Sequence, residues 1–358
     1  MKNTHTRHFE TARAAVSRRA AIQTGAALAA GVFAPAVVRA QQKTLVITQY
    51  GGVYETHFRK AVITPFEQMS GAKVIVKYGA PPEWLTSAIV NKDDPEIDVC
   101  ILNLPTAMRA ITTEDVFLDL PPERVPNALE LDPLFYDLYN RKAVGFNHGP
   151  WGMGYRTDKI APPPTSWRDL WNPKYAGKVL LPDITSGGAY EMIVIAAMLN
   201  GGSESNLEPG FTALKELKPR VLRFFKNNNE PIPMLTSGEA TICAWYSARI
   251  YPLKDTGVPV EFFAPKEGAA VGTLSYHVAK KSRQLDLALQ FTNFSLSRKP
   301  QEDFANSMEF GPTNKFAKLT GRAAQRVPSH SSLLRIDWRV LAPQLPKMAE
   351  RWQREIVS

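Results

Sequence analysis

The chain has 358 residues, 44% hydrophobic and 22% charged, with a formal net charge of +9 and two cysteines. That length holds about two domains, each able to bury a core. Lys2, Arg7, Arg13, Arg18, Arg19 and Arg39 stand against Glu10 alone in residues 1–40, so the rest of the chain carries only +4. With no basic run interleaved with aromatics, a nucleic-acid partner is excluded.

In chain order, "SRRAAIQTGAALAAGVFAPAVVRAQQ" comes first, with Arg18-Arg19, an apolar run and the small-residue end Val38-Arg39-Ala40. It reads as a bacterial export signal of the twin-arginine type, cleaved after Ala40. Ala21, where a large apolar residue is usual, leaves the general secretory route open. The run is too short and too rich in Ala and Gly to span a bilayer, so no stable membrane insertion is expected. No cysteine near the cleavage point offers a lipid anchor.

"KTLVITQYGG" then reads as a strand broken by glycines, and "VYETHFRKAVITPFEQMSG" as a helix. Phe58, Val62, Phe66 and Met69 share one face of that helix, and Gly71 stops it. "AKVIVKYG", "EWLTSAIVN" and "EIDVCILNLP" continue as strand, helix and strand. Such alternation implies a parallel sheet with helices on both faces. The loops at the strands' carboxyl ends, Gln49–Tyr54, Tyr78–Pro82 and Asn103–Thr106, would line the ligand crevice.

The second half opens on "WGMGYR", where large and small side chains alternate as in an extended segment against close backbone. Pro162–Pro164 cannot continue a helix or a central strand. Thr165-Ser166 offers an N-cap for a short helix, "SWRDLWNP", stopped by Pro173. "GKVLLPD" is a strand ending in a carboxylate, and "ATICAWY", "VPVEFFAPKEG" and "GTLSYHVAKK" are further strands. "GAYEMIVIAAMLNG", "GFTALKELKPR", "DLALQFTNFSLS" and "KPQEDFANSM" read as helices. Two α/β lobes with a cleft between them is the assembly this order favours.

Catalytic and metal motifs are weak. "SGAK" (Ser70 to Lys73) matches Ser-x-x-Lys but ends a helix instead of starting one, and lacks its partner motifs. His57, His148, His277 and His330 fall at no ligand spacing. Tyr246 and Tyr251 without a His and carboxylate partner are a poor ferric-iron set. Cys100 and Cys243 each sit in an apolar strand-like run and read as buried thiols; a bridge would require the two strands to be neighbours. Aromatics cluster at strand ends instead: Tyr50, Tyr54, Trp151, Tyr155, Trp245 and Tyr246 suit the walls of a small-solute cleft.

The export signal, the helix end "FEQMSGAKV", the block "GYRTDKI…PPTSWRDLWNPKYAGKVLLPD", "SGEATICAWY", "PKEGAAVGTLSYHVAKKS", "ALQFTNFSLSRKPQEDF" and "EFGPTNKFA" together resemble one family. It is the periplasmic solute-binding proteins of ABC importers, in the spermidine/putrescine-binding-like branch. The resemblance covers essentially all of residues 41–358, and Thr-Ser-Trp-x-Asp-Leu-Trp and Pro-Lys-Glu-Gly are its most specific parts. It implies a two-lobed, type II-like α/β fold, each lobe a mixed, mostly parallel sheet flanked by helices. Lobe one would hold residues 43–147 plus 275–307, and lobe two 148–274 plus 308–358. Trp167 and Trp171 would pack a surface collar on lobe two and not touch ligand.

The resemblance also implies a monomeric carrier in the periplasm of a Gram-negative bacterium, delivering a small solute to a membrane permease. No reaction, cofactor or metal is expected. Polyamine-binding relatives sandwich the methylene chain between aromatics and hold the ammonium groups with several acids. Trp245 and Tyr50 match wall aromatics and Asp183 one acid, but Gly51-Gly52, "ITSGGAY" and Gly272-Thr273-Leu274 stand where other acids would be. An unpaired buried ammonium costs on the order of several kcal/mol, so an anionic or zwitterionic solute is favoured over a polyamine. Ser186 and Gly187, before a helix, offer free N–H groups, and Arg249 could fork a carboxylate, unless it pairs with Asp255 or Glu239. Gly51, Gly52, Tyr54, Asn103, Thr106 and Tyr246 complete the candidate ligand set. Polyamine or ferric-iron binding on the same fold, and a periplasmic enzyme on the same scaffold, are the alternatives.

Overall fold

The computed structural model describes residues 42–357, so the proposed export signal lies outside the described residues. Ten strands are laid down among the described residues. β1 (Thr44–Gln49), β2 (Lys73–Tyr78) and β3 (Val99–Asn103) come first, then the long β4 (Val144–Arg156). β5 (Val179–Pro182), β6 (Val221–Phe225), β7 (Ile242–Tyr246) and β8 (Val260–Phe263) follow, then β9 (Ala270–Val278) and β10 (Gly311–Pro312). The pairing order is β2-β1-β3-β9-β4-β7-β5-β6, with β8 and β10 also on β4.

The outer triplets β2-β1-β3 and β6-β5-β7 are parallel, as helical crossovers require. β9 and β4 pair antiparallel with each other and carry the sheet from one triplet to the other. β4 is buried throughout its 13 residues. Its first part pairs with β9, and its last part with β7 and β8. The large-small alternation of Trp151–Tyr155 has a direct cause. A Cβ on Gly152 would stand 2.7 Å from the Phe263 carbonyl oxygen, and one on Gly154 2.2 Å from Ile250 Cδ1. Glycine there lets β8 and the helix Ser247–Asp255 close over β4.

Several expectations need correction. The first helix runs as Val53–Phe58, a π turn at Arg59–Ile63, and Thr64–Ser70, capped by left-handed Gly71. The wide turn precedes Pro65, which has no N–H to donate. The extra residue shifts the buried face, so Phe58, Val62, Ile63 and Phe66 are buried while Met69 is 52% exposed. No loop follows β3: Asn103 ends the strand and is itself the N-cap of the helix Leu104–Thr113, placing Thr106 in a first turn. "SWRDLWNP" forms a 3-10 turn, Trp167–Trp171, and Lys218–Arg220 ends "GFTALKELKPR" in the same tighter geometry. β9 and β4 lie between the strands of Cys100 and Cys243, and both thiols are free and buried.

The two most specific sequence blocks meet in space. Ser166 caps the 3-10 turn and donates its Oγ to Glu267 Oε1 at 2.5 Å, while the Trp167 backbone N–H donates to Glu267 Oε2. Trp167 Nε1 donates to the Gly268 carbonyl at 2.9 Å, and its ring stacks on Trp151 at 5.0 Å. Trp167 is wholly buried and Trp171 donates to the Ala213 carbonyl. At the chain's end, Trp352 packs edge-on to Phe224. The segment after β10 turns back to the first half: Thr313 donates to the Gly145 carbonyl, and Asn314 to the Leu296 carbonyl.

Candidate functional site

Where β4 and β9 cross between the triplets, Tyr246 at the end of β7 faces bare backbone. A Cβ on Gly187 would stand 2.6 Å from the Tyr246 hydroxyl; one on Gly272 would be 3.1 Å, and one on Gly149 3.7 Å, from its ring. Three glycines on three segments thus make room for one phenol. Burial pushes the Tyr246 phenol far up, and the charges of Glu191 and Tyr50 push it further while Arg249 opposes them. Those four groups therefore share one electrostatic neighbourhood. Tyr50 is raised by burial to about 12 and packs against Tyr54 and Trp84, at ring distances of 5.9 and 5.5 Å.

The second-half wall is the turn before the helix Ala189–Leu199. Ser186 is buried with an unpartnered Oγ. Gly188 caps the helix at φ +101°, against the Trp151 indole, whose Nε1 is also unpartnered. Glu191 lies in the helix's first turn, 5% exposed, with no ion pair among the described residues. Burial pushes its carboxyl up to about 7, and only its own backbone N–H works the other way. Sequence reasoning missed Glu191, which hides in an apolar helix. The one available hint was a lone acid three residues past a Gly-Gly.

The other candidates divide. Tyr54 accepts a 2.5 Å hydrogen bond from Asn147 Nδ2, and its ring packs on Phe58, Phe304 and Phe310 in the first-half core. Asn103 Oδ1, Asn147 Oδ1 and Gln49 Nε2 are buried and unpartnered. Gly51 and Gly52 are exposed; Gly52, at φ +72°, accepts from Thr56 N and starts its helix by backbone alone. Thr106 is half-buried on the Leu104–Thr113 helix.

Trp245 and Asp183 serve the interior instead of an open wall. Trp245 is fully buried in the second-half core and donates to Asn228 Oδ1 at 3.0 Å. Asp183 is 1% exposed; its Oδ1 accepts from Thr185 N and Oγ1, and its Oδ2 from Trp352 Nε1. Arg249 is exposed, and Asp255, one of its two alternative partners, is held by Arg322 and Arg326. Tyr251 is remote in character from Tyr246: the Arg326 guanidinium covers its ring at 4.7 Å. Among the described residues no three His, Cys, Asp or Glu side chains converge as a metal set.

The fold defines a class: a two-lobed α/β binding protein, with this polar cluster at the strands joining the lobes as its candidate site. The chain belongs to the family described as bacterial extracellular solute-binding proteins, whose model matches residues 97–342. It is 24% identical over 296 residues to the gamma-aminobutyric acid-binding protein of Pseudomonas aeruginosa, covering 80% of this chain and 81% of that one. It is also 24% identical over 267 residues to the spermidine/putrescine-binding periplasmic protein of Salmonella typhimurium, covering 72% and 75%. An ABC transporter structure from Clostridium perfringens superposes with a TM-score of 0.78 at 24% identity, covering 87% of this chain and 99% of that one. The protein is a solute-binding component and not an enzyme. No helix among the described residues is long and apolar enough to cross a membrane.

Proposed function

We propose that the protein captures a small solute bearing one ammonium group and one anionic group, and delivers it to an ABC permease. The observation that carries this reading is Glu191, a buried carboxylate without a cationic partner beside the Tyr246 phenol. A buried carboxylate is stable in its ionised form only against a positive charge. Arg249, in the same neighbourhood and unpaired among the described residues, suits the anionic end. Asp183 is engaged by Thr185 and Trp352, so a second ammonium lacks an acid of its own. That disfavours a diamine or triamine. A relative that binds gamma-aminobutyric acid supports the same charge pattern.

Ligand-side residues in this reading are Tyr50, Asn103, Ser186, Gly187, Glu191, Tyr246 and Arg249. We take residues 1–40 as a twin-arginine export signal and the working location as the periplasm of a Gram-negative bacterium, where the protein acts as a monomer. Lobe one then comprises 43–147 and 275–307, extended through about residue 318 by the contacts of Thr313 and Asn314 with Gly145 and Leu296. The test is isothermal titration with 4-aminobutyrate, glutarate, putrescine and spermidine. Binding of 4-aminobutyrate at least tenfold tighter than the other three is expected. A preference for glutarate or for a polyamine overturns the reading.

A further inference from the structure

The candidate site holds a buried acid with no ion pair among the described residues. Glu191 is 5% exposed, on the helix Ala189–Leu199 whose preceding turn contributes Ser186, Gly187 and Gly188 to the wall. Its charged and titratable surroundings are the following. Tyr190 is its neighbour on the helix, and its phenol is raised by burial and then by Glu191. Tyr246, at the end of β7, is near enough for the charges of Glu191, Tyr50 and Arg249 to act on its phenol. The helix Glu208–Leu217, packed against its own, carries Glu208, Lys215 and Glu216; Glu208 pairs with Arg351 and Lys215 with Glu355. Asp183 precedes the turn and is hydrogen-bonded to Thr185 and Trp352. None of the cations among these lies within ion-pair reach of Glu191. Ser186 Oγ and Trp151 Nε1 in the same wall are polar positions without a partner among the described residues.

We propose that Glu191 exchanges its proton for a primary ammonium, so that capture of the solute releases a proton to solvent. The proposal rests on the ammonium-binding reading above. Before capture, the neutral carboxyl suits the buried position. When R–NH3+ arrives, the O–H bond breaks, the proton leaves to water, and the carboxylate pairs with an ammonium that keeps all its protons. Charge balances: a zwitterionic solute brings no net charge, so the complex gains one negative charge as one proton leaves, and at the acid itself the ammonium takes the proton's place. The direction follows from burial, which holds the Glu191 carboxyl up to about 7. Below that pH each binding event must remove a proton, and affinity falls about tenfold per pH unit. Above it the acid is already ionised and affinity is level.

The experiment is calorimetric titration of the whole protein with 4-aminobutyrate at about pH 6, 7 and 8.5, in two buffers of different ionisation enthalpy. The probe's own groups keep their charges over that range. Near one proton released at pH 6, about half at pH 7 and almost none at pH 8.5 is expected. Glu191→Gln should bind more weakly, with no proton release and a flat pH profile. Binding of 4-aminobutyrate without proton release and with a flat profile in the unmodified protein overturns this inference and leaves the ammonium reading standing. If neither 4-aminobutyrate nor putrescine binds, both fail.

Discussion

The collar around Trp167 and the candidate cleft wall around Ser186 and Glu191 are neighbouring segments built on opposite principles. In the collar, Glu267 satisfies Ser166 and Trp167, Gly268 satisfies the Trp167 indole, and Asp169 accepts from the N–H groups of Thr165 and Ser166. In the candidate cleft wall, Ser186 Oγ and Trp151 Nε1 are buried without partners among the described residues, and Glu191 is buried without an ion pair among them. A region that satisfies itself is made to hold a shape. One that leaves polar groups without partners gains from a ligand that supplies them, because each such group costs about 1–3 kcal/mol while unpaired.

That contrast can be broken from either side. The largest effect is expected from Trp167→Ala, which empties a fully buried site stacked on Trp151 and should cost about 3–5 kcal/mol of stability by chemical denaturation. A loss under about 1 kcal/mol would mean the collar is dispensable. Glu191→Gln should weaken an ammonium-bearing solute by about 2–5 kcal/mol in calorimetry while the protein stays folded. Unchanged affinity would move the cation site elsewhere.

The same residue makes a pH prediction for the unliganded protein. Glu191 is held up to about 7, so the fold favours its neutral form. That stabilisation is complete below the ordinary carboxylate range and is lost as pH rises through about 7. Above about pH 8, Glu191→Gln should therefore be the more stable protein, by on the order of 3 kcal/mol. The gap should close towards about pH 5, and a constant gap would contradict the assignment. Glu267→Gln should cost about 1.5–3 kcal/mol with solute affinity unchanged. Smallest of all should be the effect of Asp183→Asn on solute affinity, within about threefold, since that acid is held by Thr185 and Trp352.

The same contrast explains what could be read from the chain. The collar was legible because caps, prolines and tryptophans obey local rules: Ser166 does cap its turn, and Gly152 and Gly154 do sit under close neighbours. Strand–helix alternation likewise implied the parallel triplets. The candidate cleft is harder to read. Gly187 and Tyr246 lie together with Tyr50 nearby, whereas Trp245 and Asp183 are buried with partners inside the protein, a matter of side-chain surroundings that a strand end does not disclose. Glu191 escaped notice because its meaning depends on who is absent around it, which only three dimensions reveal. Met69 was misplaced because the π turn before Pro65 shifted the helical phase.

The place of β9 in the sheet also governs how the chain can come together in time. β9 fills the gap between β3 and β4, and Ser275 Oγ reaches the Leu102 carbonyl across 173 residues of sequence. Until residues 270–278 have been synthesised, β3 keeps a bare edge and the first triplet is an unfinished ribbon. Closing so long a loop before any reward is slow. The first half of the protein therefore waits for the second, and the two lobes are completed late and almost together.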